Sequence, residues 1–295
     1  MTTKTIVFTT RKGGVGKTTL TYAVGEFLAR ELPEKYKVLC IDMDAQCSLS
    51  TSMIGDTNWL EADNKGQTIY QMFFDALKNT KVFDIKKAII TNASNLKTPN
   101  LHLLPSSIKL EDIKAQLTNI GKDDKFSAIS PVGVLAKHLH KVKDDYDYIL
   151  IDCPPDMGIP TLNALAVSDG FIIPTIPDHI STYGIPMVMT YIKEFSESLG
   201  KELKPYGLIF NKRRPCGLHS TVIEIQTKKS GNPPIFRTIV DERARLAESA
   251  AYDNAVTTIK NKYGGANETY DTLHKLAEEF VDKTKDEEVN NADKK

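Results

Sequence analysis

Residues 12 to 19 read Lys12-Gly13-Gly14-Val15-Gly16-Lys17-Thr18-Thr19, and this stretch decides the fold. It follows the apolar, β-branched run Thr5-Ile6-Val7-Phe8-Thr9 and leads into an amphipathic run over 20–32. Strand, glycine loop and helix form the context that a phosphate-binding loop requires. The glycines let backbone N–H groups close around phosphate oxygens with no Cβ in the way. A helix beginning near Lys17 adds the positive end of its dipole. In this pattern Lys17 reaches the β- and γ-phosphates and Thr18 places a hydroxyl on Mg²⁺. Residues Lys12 to Thr19 are therefore the expected cradle for a nucleotide. A glycine-rich turn with only a structural task is the competing reading, and it has to account for a match along the whole motif.

Working outward, apolar strand-like runs alternate with helical patterns along the chain. The runs cover 5–9, 37–41, 101–104, 148–151, 171–175 and 206–210. Several lack polar alternation, as strands buried on both faces do. Helical patterns cover 17–32, 68–77, 108–120, 132–143, 159–167, 183–199 and 219–227. This alternation predicts an α/β fold, a single P-loop NTPase domain with a mostly parallel central sheet and helices on both faces. No Pro-, Gly- or Ser-rich linker divides it. Residues 92–100 and 121–130 read as surface loops. The domain is expected over residues 1–283, and 284–295 as a charged, disordered tail.

Two acidic motifs end apolar runs. Val38-Leu39-Cys40-Ile41-Asp42-Met43-Asp44-Ala45-Gln46 closes a buried strand with two carboxylates, where open α/β sheets bind ligands. A pair of helix-capping acids is the alternative. Asp147-Tyr148-Ile149-Leu150-Ile151-Asp152-Cys153-Pro154-Pro155 sets a single acid after four apolar residues. Beside a phosphate loop, Asp152 is a candidate to hold Mg²⁺, in part through water, because that ion keeps much of its hydration. Asn211 ends the run 206–210; an amide there can bond both the donor and the acceptor edge of adenine. An asparagine that only shapes a turn is the alternative.

The loop departs from a plain Walker A motif. Arg11 stands where that motif begins with Gly, and a second lysine follows at Lys12. This resembles the deviant Walker A loop of the ParA/MinD ATPases, and the later motifs extend the likeness over most of the chain. Asp42 to Gln46 looks like the family's Asp-x-Asp-Pro-Gln segment, with Ala45 in place of Pro. Asp152-Cys-Pro-Pro matches its Asp-x-Pro-Pro sequence. The run Ile239-Val-Asp-Glu-Arg-Ala-Arg-Leu-Ala-Glu248 resembles the Ile-Pro-Arg-x-x-Arg-Leu-x-Glu-Ala stretch of ParA proteins, with Asp241 and Glu242 replacing Pro and the first Arg. In relatives this segment also flanks the nucleotide base. Leu273, Leu276, Ala277 and Phe280 fit the family's final helix.

The resemblance implies an Mg²⁺-dependent ATP hydrolase with Lys12, Lys17 and Asp44 as its catalytic residues. Lys12 would cross a dimer interface to the partner's nucleotide, and Asp44 would position the attacking water. Thr18, Asp42 and Asp152 would form the metal region, and Asn211 would meet the base. It further implies an ATP-dependent homodimer that binds DNA non-specifically, drives plasmid or chromosome partition and answers to a ParB-like partner. Such a protein is cytoplasmic and nucleoid-associated.

Composition narrows the classes. Lys plus Arg equals Asp plus Glu, 38 each over 295 residues, so any nucleic-acid surface must be a local patch. Basic residues do cluster late: Lys212-Arg213-Arg214, Lys228-Lys229, Arg237, Arg243, Arg245, Lys260 and Lys262. By the resemblance, Arg213, Arg214 and Arg245 contact DNA phosphates; ordinary solvated charges are the alternative. The cysteines Cys40, Cys47, Cys153 and Cys216 form no C-x-x-C pair, which argues against a zinc site or a disulfide framework and for reduced thiols in a cytosolic protein. No signal-peptide pattern and no apolar run of 18 residues is present, so no membrane partner is expected. Two alternatives within the family remain: a switch that positions a non-DNA cargo, and a membrane-cycling protein like MinD. The latter needs an amphipathic C-terminal helix, and 284–295 offers one large apolar residue, Val289.

Overall fold

The six apolar runs become six strands because each can bury both faces. In the computed structural model, which describes residues 2–119, 131–253, 255–265 and 269–285, they are β1 (Lys4–Phe8), β2 (Val38–Asp42), β3 (Leu101–Leu104), β4 (Tyr148–Asp152), β5 (Gly170–Thr175) and β6 (Lys204–Phe210). They form one sheet in the order β3-β2-β4-β1-β5-β6, every neighbouring pair parallel. The register sets Phe8 opposite Asp152 and Asp152 opposite Asp42. The end of β1 and both strand-terminal acids therefore meet at the C-terminal edge of the sheet, where such folds bind ligands.

The helices are α1 (Lys17–Arg30), α2 (Ser48–Asn64), α3 (Ile69–Lys78), α4 (Ile85–Ala88), α5 (Leu110–Asn119), α6 (Val134–Leu139), α7 (Ile159–Val167), α8 (His179–Tyr183), α9 (Ile185–Leu199), α10 (Gly217–Lys228), α11 (Ala244–Glu248), α12 (Ile259–Tyr263) and α13 (Thr269–Thr284). Alternate strand residues feed two cores. Ile6, Phe8, Cys40 and Leu150 pack with Leu20 and Phe27 of α1 and Leu276 and Phe280 of α13. Val7, Ile41 and Ile151 pack with Phe73 of α3, Leu135 of α6, Leu165 of α7 and Val188 of α9 on the opposite face. None of the helices is long and apolar enough to cross a membrane among the described residues.

Three expectations change. No helix was expected over α2, whose sequence is rich in Ser, Thr, Asn and Asp; it also breaks at Gly55, which adopts φ 76 and ψ 158 with the Tyr252 ring against it. The pattern over 132–143 yields only α6, flanked by 3₁₀ turns at Pro131–Gly133 and Lys143–Asp145. Lys262, counted with the late basic cluster, is buried, and its Nζ lies 2.8 Å from Glu26 Oε2. The Tyr263 hydroxyl donates to the same oxygen at 2.8 Å, so α12 is tied to α1 rather than turned to solvent. The loop expected at 121–130 and nearly all of the tail at 284–295 lie outside the described residues.

Candidate active site

The phosphate loop is shaped by two glycines in the left-handed region, Gly14 at φ 77 and Gly16 at φ 87. At Gly16 space is also decisive, since an added Cβ would lie 2.3 Å from Asn211 Nδ2. The loop ends on α1, whose first residue is Lys17. Arg11 to Gly14 are exposed and Val15 is buried, so the loop stands out of the sheet edge on an apolar foot.

The two lysines of the loop part company. Lys17 is only 7% exposed, and its Nζ lies 3.4 Å from the Lys12 carbonyl. Burial pushes its ammonium below the ordinary value, while the carboxylates of Asp152 and Asp44 pull it back up. Lys12 is exposed. Thr18 and Thr19 occupy the first turn of α1, and the Thr18 hydroxyl donates to Asp152 Oδ2 at 2.6 Å. The other oxygen of Asp152 is buried with no partner among the described residues.

Asp152 and Asp42 face an electrostatic problem. Both are buried, which favours the neutral form. Burial, with the charges of Asp42 and Asp44, raises Asp152 to about 8 against the opposing pull of Thr18 and Lys17. Burial and the nearby Asp44 raise Asp42 to about 6 despite its hydrogen bonds to Ser50. A cation beside Asp152 would satisfy its orphaned oxygen and offset this repulsion. The donor set fits Mg²⁺, which takes one or two carboxylates and completes its shell with water and phosphate oxygens. Accordingly, among the described residues no group of three or more His, Cys, Asp or Glu is placed to hold a metal alone.

Asp42 is occupied in a way its grouping with the metal residues does not anticipate. Its Oδ2 accepts from Ser50 N at 2.9 Å and Ser50 Oγ at 2.7 Å, and its Oδ1 from Asp44 N at 3.1 Å. It therefore fixes the start of α2 and the position of Asp44. Asp44 is half-buried and accepts from Gln46 N at 3.0 Å. Nothing in the sequence ties Ser50 to Asp42.

Asn211 and Lys212 close the loop from the end of β6. Asn211 donates Nδ2 to the Val15 carbonyl at 2.8 Å, and its Oδ1 is buried without a partner among the described residues. Lys212 donates Nζ to the Gly14 carbonyl at 2.8 Å. It thus turns toward the phosphate loop and away from the arginines that follow it.

Those arginines are each matched by an acid. The strand-like segment 240–242 runs beside 213, with Arg213 N on Val240 O at 3.0 Å and Glu242 N on Arg213 O at 2.9 Å. Arg213 Nε lies 2.5 Å from Asp241 Oδ1, and Arg214 is paired with Glu242. Arg245, on α11, lies 3.5 Å from Glu248 and donates to the Asn261 carbonyl. Arg213 and Arg214 thus come together, with their charges largely answered.

A protein-family profile described as AAA domain matches residues 3–205. The chromosome-partitioning ATPase Soj of Treponema pallidum is 30% identical over 281 residues, covering 94% of this chain and 97% of that protein. The sporulation initiation inhibitor protein Soj of Bacillus subtilis is 29% identical over 277 residues, covering 93% and 98%. Among solved structures, a plasmid partition protein of Borrelia burgdorferi bound to AMPPNP is similar with a TM-score of 0.65 at 25% identity, covering 96% of this chain and 100% of that one.

Proposed function

The chain belongs to the ParA/MinD-type P-loop ATPases, and from that premise we propose that it hydrolyses ATP as a nucleotide-dependent partition switch. The observation that carries this reading is the split between the loop lysines: Lys17 is buried beside Asp152 and Asp44, while Lys12 stands exposed on the same loop. Lys17 and the loop amides bind the β- and γ-phosphates of the nucleotide in the same protomer. Lys12 is left to reach the nucleotide of a second copy docked face to face.

Thr18 and Asp152 would hold Mg²⁺, which when bound supplies positive charge to the phosphate oxygens. Asp44 orients the attacking water and accepts its proton, and Asp42 holds the Asp44 amide in place. Asn211 would meet the base through its Oδ1, the amide atom with no partner among the described residues. Hydrolysis is then phosphoryl transfer to water, favoured by positioning and by charge rather than by a covalent intermediate. The ATP dimer binds DNA without sequence preference through Arg213, Arg214 and Arg245, since phosphate contacts need charge and not base-reading side chains. A ParB-like partner stimulates hydrolysis and release, moving a plasmid or other replicon over the nucleoid. Sedimentation with plain plasmid DNA in ATP, ADP or no nucleotide tests this. Binding that requires ATP is the expected result; no binding in any state removes the DNA step.

One observation favours a second reading, in which the same switch positions a cargo other than DNA. Asp241 and Glu242 neutralise Arg213 and Arg214, where the family's stretch carries Pro and Arg. Failure to sediment with DNA, together with intact ATP-dependent dimerisation, would select it.

A further inference from the structure

Four carbonyls of the phosphate loop are engaged. Lys12 O accepts from Lys17 Nζ at 3.4 Å, and Gly16 O from Leu20 N at 3.0 Å. Gly14 O accepts from Lys212 Nζ and Val15 O from Asn211 Nδ2, each at 2.8 Å. The last two donors come from one dipeptide at the end of β6.

A trans peptide is planar, with its C=O and N–H pointing in opposite directions. Holding the Gly14 carbonyl therefore aims the Val15 N–H the other way, and holding the Val15 carbonyl does the same for Gly16 N–H. These are amides that a phosphate loop turns toward its ligand. The Gly14–Val15 unit is the one most in need of a restraint. Gly14 is exposed at φ 77, and beyond its chain neighbours nothing among the described residues lies within 4 Å of where its Cβ would be, so packing does not fix it. Lys212 itself adopts φ 53, a left-handed conformation that lysine seldom takes. Its stem passes Gly16, with Cε 3.8 Å from that residue's ideal Cβ position.

We propose that Lys212 is a positioning residue of the phosphate loop, its ammonium pinning the Gly14 carbonyl so that the Val15 amide faces the nucleotide phosphates. The proposal rests on the nucleotide reading of the loop. It takes Lys212 out of the basic patch and gives the loop a restraint from β6 at each of two successive peptides.

The test is titration of MgADP into the full chain and into three variants. Lys212→Ala removes the donor and keeps the strained φ. Lys212→Gly removes the donor and relieves the strain. Lys212→Arg keeps a donor of similar reach. A hydrogen bond from a charged group, partly exposed to water, predicts about ten-fold weaker binding in Lys212→Ala and Lys212→Gly, with Lys212→Arg within about three-fold of wild type. Melting temperatures without nucleotide should stay within about two degrees, since a fold-wide effect would move them further. The loss should persist at about 0.5 M salt, where a purely long-range charge effect is screened away. Wild-type affinity in Lys212→Gly, a loss that disappears in high salt, or unchanged affinity in all three would overturn the proposal. Lys17→Ala is the control for the site itself: if it binds MgADP normally, the nucleotide reading fails, independently of Lys212.

Discussion

The phosphate loop and the arginine surface treat charge in opposite ways. At the loop, Lys17, Asp152 and Asp42 are buried together, and one Asp152 oxygen has no partner among the described residues. Such an arrangement is costly until a ligand completes it, because buried charge lacks the water that would stabilise it. On the surface, Arg214 and Arg245 are exposed and Arg213 is half-exposed, each beside an acid. Exposed pairs of that kind contribute little, because water and salt screen them. The first region is poised for a particular ligand; the second is close to electrically balanced and demands none. Large, specific effects are therefore expected at the loop and small, salt-dependent ones at the arginines.

The sharpest way to break this contrast is within the loop. Lys17→Ala removes the cation that Asp152 faces among the described residues, and nucleotide affinity should fall by about 100-fold or more, as for loss of a buried charged partner. Lys12→Ala, on the exposed side, should bind nucleotide nearly normally and yet fail to form an ATP dimer. Calorimetry and light scattering separate the two outcomes. Equal losses of affinity in both variants would mean that the loop lysines do not divide their labour.

Asp44 comes next. Removing a carboxylate that positions water and takes up its proton should cost about 100-fold or more in turnover. Asp44→Ala should keep ATP and accumulate as a dimer, because Thr18, Asp152 and Lys17 remain. Single-turnover hydrolysis at the wild-type rate would take Asp44 out of the reaction.

The buried acids also predict a pH dependence. Asp152 stands at about 8 in the folded protein, above an unfolded carboxylate near 4. Between those values the folded state holds the additional proton, so stability without ligand should fall as pH rises across the window. Asp42, at about 6, acts in the same direction over the lower half. Binding of Mg²⁺ and nucleotide requires the carboxylate, so it should release a proton at pH 7 and strengthen toward pH 8. Calorimetry in two buffers of different ionisation enthalpy measures that release, and Asp152→Asn should remove most of it.

All six strands were legible in the sequence because each is a short, mainly apolar run set between helical patterns, and several lack the polar alternation of a half-exposed strand. The loop was legible for a related reason: its glycines, lysine and threonines each meet a local demand at fixed spacing. The second half of the site was not. Lys212 reads as the first of three basic residues, and only the left-handed turn after Asn211 sends it back to Gly14. The partners of Arg213 and Arg214 were hidden in the same way, because Asp241 and Glu242 come alongside through a pairing with no sequence period. Helix α2 escaped notice since its polar composition lacks an apolar stripe and Gly55 interrupts it.

The smallest expected effect lies at the arginines, and it can be approached from both sides. If these residues meet DNA in the ATP dimer, each phosphate contact contributes about 0.9 to the slope of log affinity against log salt. A triple Arg213→Ala, Arg214→Ala, Arg245→Ala variant should flatten that slope by at most about 2.7, and by less in practice, since the acids already offset part of the charge. Replacing the acids acts in the opposite direction. Asp241→Asn with Glu242→Gln frees Arg213 and Arg214 at nearly constant shape, so DNA binding should tighten and its salt dependence steepen. Fluorescence anisotropy on two unrelated duplexes, across a salt series in saturating ATP, measures both, with nucleotide affinity followed in parallel because Arg245 lies in the segment that flanks the base in relatives. If the two sets of variants move DNA affinity in opposite directions and equally for both sequences, the arginines form a phosphate-binding surface held in check by their own acids. If neither set changes affinity or slope, the pairs are only surface salt bridges, and the cargo is to be sought among ligands other than DNA.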